Sequence, residues 1–195
     1  MSNIKFYIKT PSIFWMFFLL AISFLSFGIF LIYQFLQEPA FKNLVAWITA
    51  FITFIGVILT GLFSIKNSIK QHTISYWLNV RTSDSYTTSL KIINNFGKRT
   101  PILNKEIIDS DHFQQEIEPH LLHILNQLEF CAVCLRTGDF DECILKNAMA
   151  GILEKNFEFS QSYITELRKK NNRVSLFEHI EVLNSRWSSQ PNIYI

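Results

Sequence analysis

The chain has 195 residues, with 18 Lys and Arg against 16 Asp and Glu for a formal net charge of +2, and its mean hydropathy is +0.18. Those averages hide an asymmetry. Only Lys5, Lys9, Glu38 and Lys42 precede Lys66, and the remainder holds 15 basic and 15 acidic residues. A charge-balanced remainder lacks the basic face that nucleic acid attracts, so no direct DNA binding is expected. Three cysteines, an odd number, imply no disulfide framework.

In chain order, residues 1–12 form a short segment carrying Lys5 and Lys9, followed by 21 uncharged residues from Ile13 to Tyr33. A second run, Leu44 to Ile65, is 22 residues long, and only ten residues (34–43) separate the two. Each run meets the roughly 20 apolar residues that a helix needs to cross a bilayer core, so the pair predicts a transmembrane hairpin (13–33 and 44–65) with an external loop. The first run exceeds the apolar length of a signal peptide and no A-x-A-like cleavage site follows it, which predicts a retained span. Lys5 and Lys9 on one side, and Lys66, Lys70 and Arg81 on the other, place both termini in the cytoplasm by the positive-inside rule. Neither span contains an ionisable residue, which argues against ion-coupled transport.

The second span carries small and hydroxyl-bearing residues on one sector: Ala46, Thr49, Ala50, Thr53, Thr60 and Ser64, with Gly56 at its edge. Such a stripe lets helix backbones approach closely. Two readings fit it: packing against the first span, or a contact between copies that form an oligomer or pore wall.

Beyond Ile65 the expected structure is helical, giving an all-α architecture with a cytosolic helical domain over 66–187 and a short tail over 188–195. The second span is expected to continue into a polar segment ending near Asn95, with Gly97 as its C′ residue and Pro101 blocking continuation. A short helix is expected over 104–116. Pro119 at a first helical position opens another, which Gly138 closes. Asp139-x-x-Glu142 reads as a capping box for a helix reaching Lys170, with Gly151 a place for a bend and Asn171-Asn172 the break. Ser175-Leu-Phe-Glu178 reads as a second capping box, before a last helix to about Trp187.

Two groupings resemble chemistry. His120-x-x-His123 and Cys131-x-x-Cys134 have the composition of a zinc site. One helix, however, separates residues eleven apart by about 16 Å, too far to share an ion, so no metal or other cofactor is expected. Arg173 and His179 form R-x5-H, within the R-x4-6-H motif of the HEPN ribonucleases, in which Arg and His from paired subunits surround a scissile phosphate. Val174 stands where that motif has a polar residue. The cluster Arg168-Lys-Lys170 complements a helix C-terminus or contacts an anionic lipid or phosphate.

The block from Leu125-Asn-Gln-Leu-Glu129, through Gly138-Asp-Phe-Asp-Glu142, to Arg168-Lys-Lys-Asn-Asn172 and Trp187 resembles a group of small bacterial membrane proteins known only by a domain of unknown function. That group joins a hydrophobic hairpin to a cytosolic helical domain with an L-N-x-x-E stretch, a G-x-x-D-E turn and a late aromatic helix. The layout is also similar to membrane accessory proteins of bacterial immune systems, such as two-span retron effectors and the membrane partner of type VI CRISPR nucleases. The resemblance implies an inner-membrane effector of anti-phage defence. Such an effector oligomerises and perturbs the membrane on a cytosolic signal, with membrane lipid, further copies of itself and a cytosolic protein or ribonucleoprotein as partners. Two alternatives stay open: a membrane-tethered HEPN-like ribonuclease using Arg173 and His179, and a passive anchor for a cytosolic partner.

Overall fold

A computed structural model describes residues 22–23, 26–30, 32–33 and 41–189, with side chains in the first long helix from Ala46 onward. The N-terminal segment, much of the first apolar run, positions 34–40 of the loop and the tail beyond Ser189 lie outside the described residues. Everything described is helix, turn or connecting chain, with no strand among the described residues. The elements are α1 (Phe41–Thr82), α2 (Asp84–Arg99), α3 (Lys105–Ile108), a π turn (Phe113–Ile117), α4 (Glu118–Thr137), α5 (Glu142–Lys170) and α6 (Glu178–Ser189). The chain divides into two compact units, residues 1–69 and 70–195.

In the first unit, the described positions between 22 and 33 are helical, and Phe27 meets α1 through three rings. Its centroid lies 6.0 Å from Trp47, 6.0 Å from Phe51 and 6.4 Å from Phe54, while Phe30 lies 5.3 Å from Trp47. From Ala46 to Thr82, α1 is long and apolar enough by composition to cross a membrane. Its 42 residues measure about 63 Å at 1.5 Å per residue, roughly twice a bilayer's hydrocarbon core.

The second unit is a bundle centred on α4, whose Leu121, Ile124, Leu125 and Leu128 are almost wholly buried at helical three- and four-residue spacings. The last part of α1 enters this core through Thr73 and Trp77. Phe113 and Tyr163, both fully buried, pack with ring centroids 5.6 Å apart.

Several boundaries differ from those the sequence predicts, each for a local reason. The helix begun in the second apolar run does continue past Ile65, but it breaks at Ser83, whose ψ of 127° is extended. Thr82, Ser83 and Asp84 all have side chains that compete for backbone hydrogen bonds. The next helix then runs past Gly97 to Arg99. Gly97 is not a C′ residue: it lies inside α2, where an added Cβ would sit 3.6 Å from the Phe159 ring. The expected 104–116 helix is instead a single turn capped by Asn104, whose Oδ1 accepts the Ile107 N–H at 2.9 Å, and a π turn leading straight into α4. There Glu118 N–H bonds back five residues to Phe113 O, a wider register that admits Pro119, which has no N–H to give.

Gly138 closes α4 as expected, at φ +82°, a left-handed conformation that favours glycine. The next helix is capped by Asp141, not Asp139. Asp141 Oδ1 accepts the Ile144 N–H at 3.1 Å, while the Asp139 carboxylate takes the Thr137 hydroxyl. Burial of Phe140 pulls the intervening residue into the core and moves the cap two places on. Helix α5 is a single element through Gly151 to Lys170, with Asn171 as its C-cap and Asn172 at φ 51°.

Candidate functional site

The stripe predicted on the second span is outward-facing. Ala46, Thr49, Ala50, Thr53, Gly56, Thr60 and Ser64 are all exposed. The half-buried residues of the same stretch are Trp47, Phe51, Phe54, Ile55, Ile58 and Leu62, and the first three of these meet Phe27. At 100° per residue the centres of the two sets lie about 150° apart. The face that meets the earlier helical segment is therefore built from rings and branched chains, and the small residues lie nearly opposite. Two of the hydroxyls are turned onto their own helix, Thr53 Oγ1 to Thr49 O at 2.8 Å and Thr60 Oγ1 to Gly56 O at 2.7 Å. This back-bonding to the i−4 carbonyl satisfies a hydroxyl in an apolar setting.

Arg173 and His179 sit in different environments. Arg173 is exposed in the turn after α5, where its backbone N–H bonds Arg168 O at 3.1 Å. His179 is largely covered, with Nδ1 3.8 Å from Glu129 and 3.7 Å from Glu178. The imidazole faces two carboxylates, and the neighbouring backbone is tied to one of them. Glu129 reaches from α4 to accept the Ile180 N–H at 3.0 Å and the His179 N–H at 3.4 Å.

Glu129 therefore caps α6 from another helix, in place of the capping box expected at Ser175. Residues 174–177 form a turn with Phe177 at φ 57°. Its buried ring takes the place next to Glu178 that a cap would need. Burial pushes the Glu129 carboxyl above the ordinary glutamate value, opposed by the Ile180 N–H bond and by His179. Its location on a largely apolar helix face was the available signal in the sequence: a carboxylate among Leu125, Leu128 and Cys131 needs buried partners.

Glu142 performs a related task. Its carboxylate accepts Trp187 Nε1–H at 2.9 Å and pairs with Arg186, joining the start of α5 to α6. The backbone N–H of Asp141 donates to Thr73 Oγ1 at 2.8 Å, joining the same turn to α1. The L-N-x-x-E stretch and the G-x-x-D-E turn thus each bond to the late aromatic helix, one at its start and the other at its end.

The histidines and cysteines of α4 are placed apart in role as well as distance. His120 Nδ1 lies 3.0 Å from Ser89 Oγ and His123 Nε2 3.4 Å from Ser85 Oγ, both on α2. Cys131 is buried beside the Tyr76 hydroxyl at 3.9 Å, and burial pushes its thiol up to about 12, so it stays a thiol at neutral pH. Among the described residues no group of three His, Cys, Asp or Glu gathers at metal-binding distance.

No curated protein and no solved structure matches this chain. A protein-family match spans residues 44–187, from the second apolar run to the Trp187 that Glu142 holds. The chain therefore belongs to the family described as a domain of unknown function, DUF4760.

Proposed function

We propose that this chain is an inner-membrane effector of bacterial anti-phage defence, in which the bundle receives a cytosolic signal and copies of α1 assemble to perturb the membrane. In this reading the two apolar runs form a transmembrane hairpin with both termini in the cytoplasm. The observation that carries it is the exposure of the small-residue stripe on the side of α1 away from Phe27. A stripe needed only within one hairpin would sit against the first span, whereas an outward stripe is available for close approach by a second copy. The defence context comes from the likeness in layout to two-span retron effectors and to the membrane partner of type VI CRISPR nucleases.

The test measures membrane potential with a voltage-sensitive dye in bacteria expressing the full chain, before and during phage challenge, alongside disulfide cross-linking of a Ser64→Cys variant. Depolarisation accompanied by cross-linked dimers or larger species is the expected result, and Gly56→Leu with Thr60→Leu should abolish both. Unchanged potential under challenge, together with a chain that never cross-links, would overturn the proposal.

A further inference from the structure

We propose that the cleft between α2 and the middle of α5 is a binding site for a mononucleotide, an inference that goes beyond the membrane reading and does not rest on it. The cleft has a volume of about 300 Å³ and is lined by Asn94, Lys98, Lys155, Asn156, Glu158 and Phe159, among others. That is the lower end of the range of small-molecule sites.

Asn156 supplies the strongest requirement. It is only 5% exposed, and its Nδ2 is committed to Ile152 O at 2.7 Å. Among the described residues its Oδ1 accepts no hydrogen bond and is not sealed from the surface, so the cleft lining includes an amide oxygen that a ligand donor can reach. An amide oxygen in that position accepts from an N–H or O–H group. Beside it, Phe159 offers a half-buried ring, a flat apolar surface of the kind on which a nucleobase stacks.

Charge sets the other end of the ligand. Lys98 is exposed and forms no ion pair among the described residues. Lys155 is oriented by Asn94, whose Oδ1 accepts from Nζ at 2.7 Å, and an ammonium has two further protons to give. Glu158 at the rim is an acceptor suited to ribose hydroxyls. A ring bearing N–H donors, a hydroxyl-rich middle and an anionic end together describe a nucleoside monophosphate. Free phosphate would satisfy the lysines alone and leave Asn156 and Phe159 without a role.

Isothermal titration of the full chain in detergent micelles tests this with AMP, GMP, CMP and UMP, and with adenosine, ribose 5-phosphate and inorganic phosphate as partial ligands. Saturable binding of at least one nucleotide is expected, with each partial ligand weaker by about tenfold or more. Lys98→Glu, an exposed change that leaves the core untouched, should weaken binding by about tenfold. Phe159→Leu should weaken it comparably, and Asn156→Ala should do so with unfolding followed in parallel. No saturable binding by any nucleotide below about 10 mM, phosphate binding as well as the nucleotides, or unchanged affinity in Lys98→Glu and Phe159→Leu would each overturn the proposal.

Discussion

Thr53 and Thr60, in the apolar stretch of α1, turn their hydroxyls onto carbonyls one turn earlier in the same helix. Thr73, further along that helix, instead accepts from the Asp141 backbone 68 residues away, and it is wholly buried. The contrast extends to the rest of each unit. Beyond Lys70, Glu129 serves α6, Glu142 serves Trp187, and the Tyr163 hydroxyl donates to Glu118 at 2.6 Å. Thr53 and Thr60 are satisfied within their own helix, while Thr73, Glu129, Glu142 and Tyr163 bond between elements. The same residue type thus has different significance in the two places: the hydroxyls of Thr53 and Thr60 stay within their own helix, and that of Thr73 ties α1 to the turn before α5.

The largest effect should come from Glu129. Glu129→Ala removes the acceptor of two backbone N–H groups and leaves both covered, which should cost about 2–3 kcal/mol in denaturant unfolding of the full chain in micelles. A pH series sharpens the point. Burial raises the folded pKa of this carboxyl, so its contribution to stability is complete below the unfolded value of about 4.3 and is lost as pH rises through the folded value. Wild type should therefore lose ground to Glu129→Gln as pH increases from about 4 toward neutrality. The comparison belongs in a His179→Gln background, because that imidazole lies 3.8 Å from the same carboxylate and opposes the effect of burial on it. A gap that does not change with pH would show that the carboxyl is not held above its ordinary value.

Thr73→Val comes next. The change keeps shape and leaves the Asp141 N–H without its acceptor, at a cost of about 1–2 kcal/mol, while Thr73→Ser should retain most of the bond. Equal stability of the valine and serine variants would mean that the contact between α1 and the turn contributes packing alone. Gly138→Ala should be milder, about 1 kcal/mol, because only its left-handed backbone at φ +82° is penalised; an added Cβ there meets nothing within 4 Å.

These positions also show how far the sequence could be read. The apolar runs, the helical class, the Gly138 stop and the Asn171-Asn172 break follow from composition and local stereochemistry, which a sequence states directly. The actual caps differ from the boxes at Asp139 and Ser175 because a capping box describes a helix in isolation. In the fold, the burial of Phe140 and Phe177 decides where each helix begins, and Glu129 supplies from α4 what Ser175 would have supplied locally. The break at Ser83 falls in a Thr-Ser-Asp run, a weak local signal between two stretches of continuous helical character. At the stripe, the residues were legible but their direction was not, since small residues suit contact with either the first span or another copy. Only the rings of Trp47, Phe51 and Phe54 against Phe27 separate those faces. The cleft at Asn156 left no sequence signal, because its residues come from two helices some 60 positions apart.

The smallest effect on folding, and the most informative for assembly, belongs to the stripe. Thr53→Val and Thr60→Val remove hydroxyls that, among the described residues, bond within α1, so unfolding should shift by no more than about 0.5 kcal/mol. Their effect on self-association separates two physical causes. With its proton already given to its own helix, each hydroxyl contributes to a second copy chiefly through its small size, and valine is nearly the same size. Cross-linking through Ser64→Cys should therefore survive both valine changes and disappear in Gly56→Leu, where an exposed glycine that lets backbones meet becomes a bulky side chain. If the valine variants also lost cross-linking, hydrogen bonds across the contact would be the cause, and the stripe would associate through polarity instead of close approach.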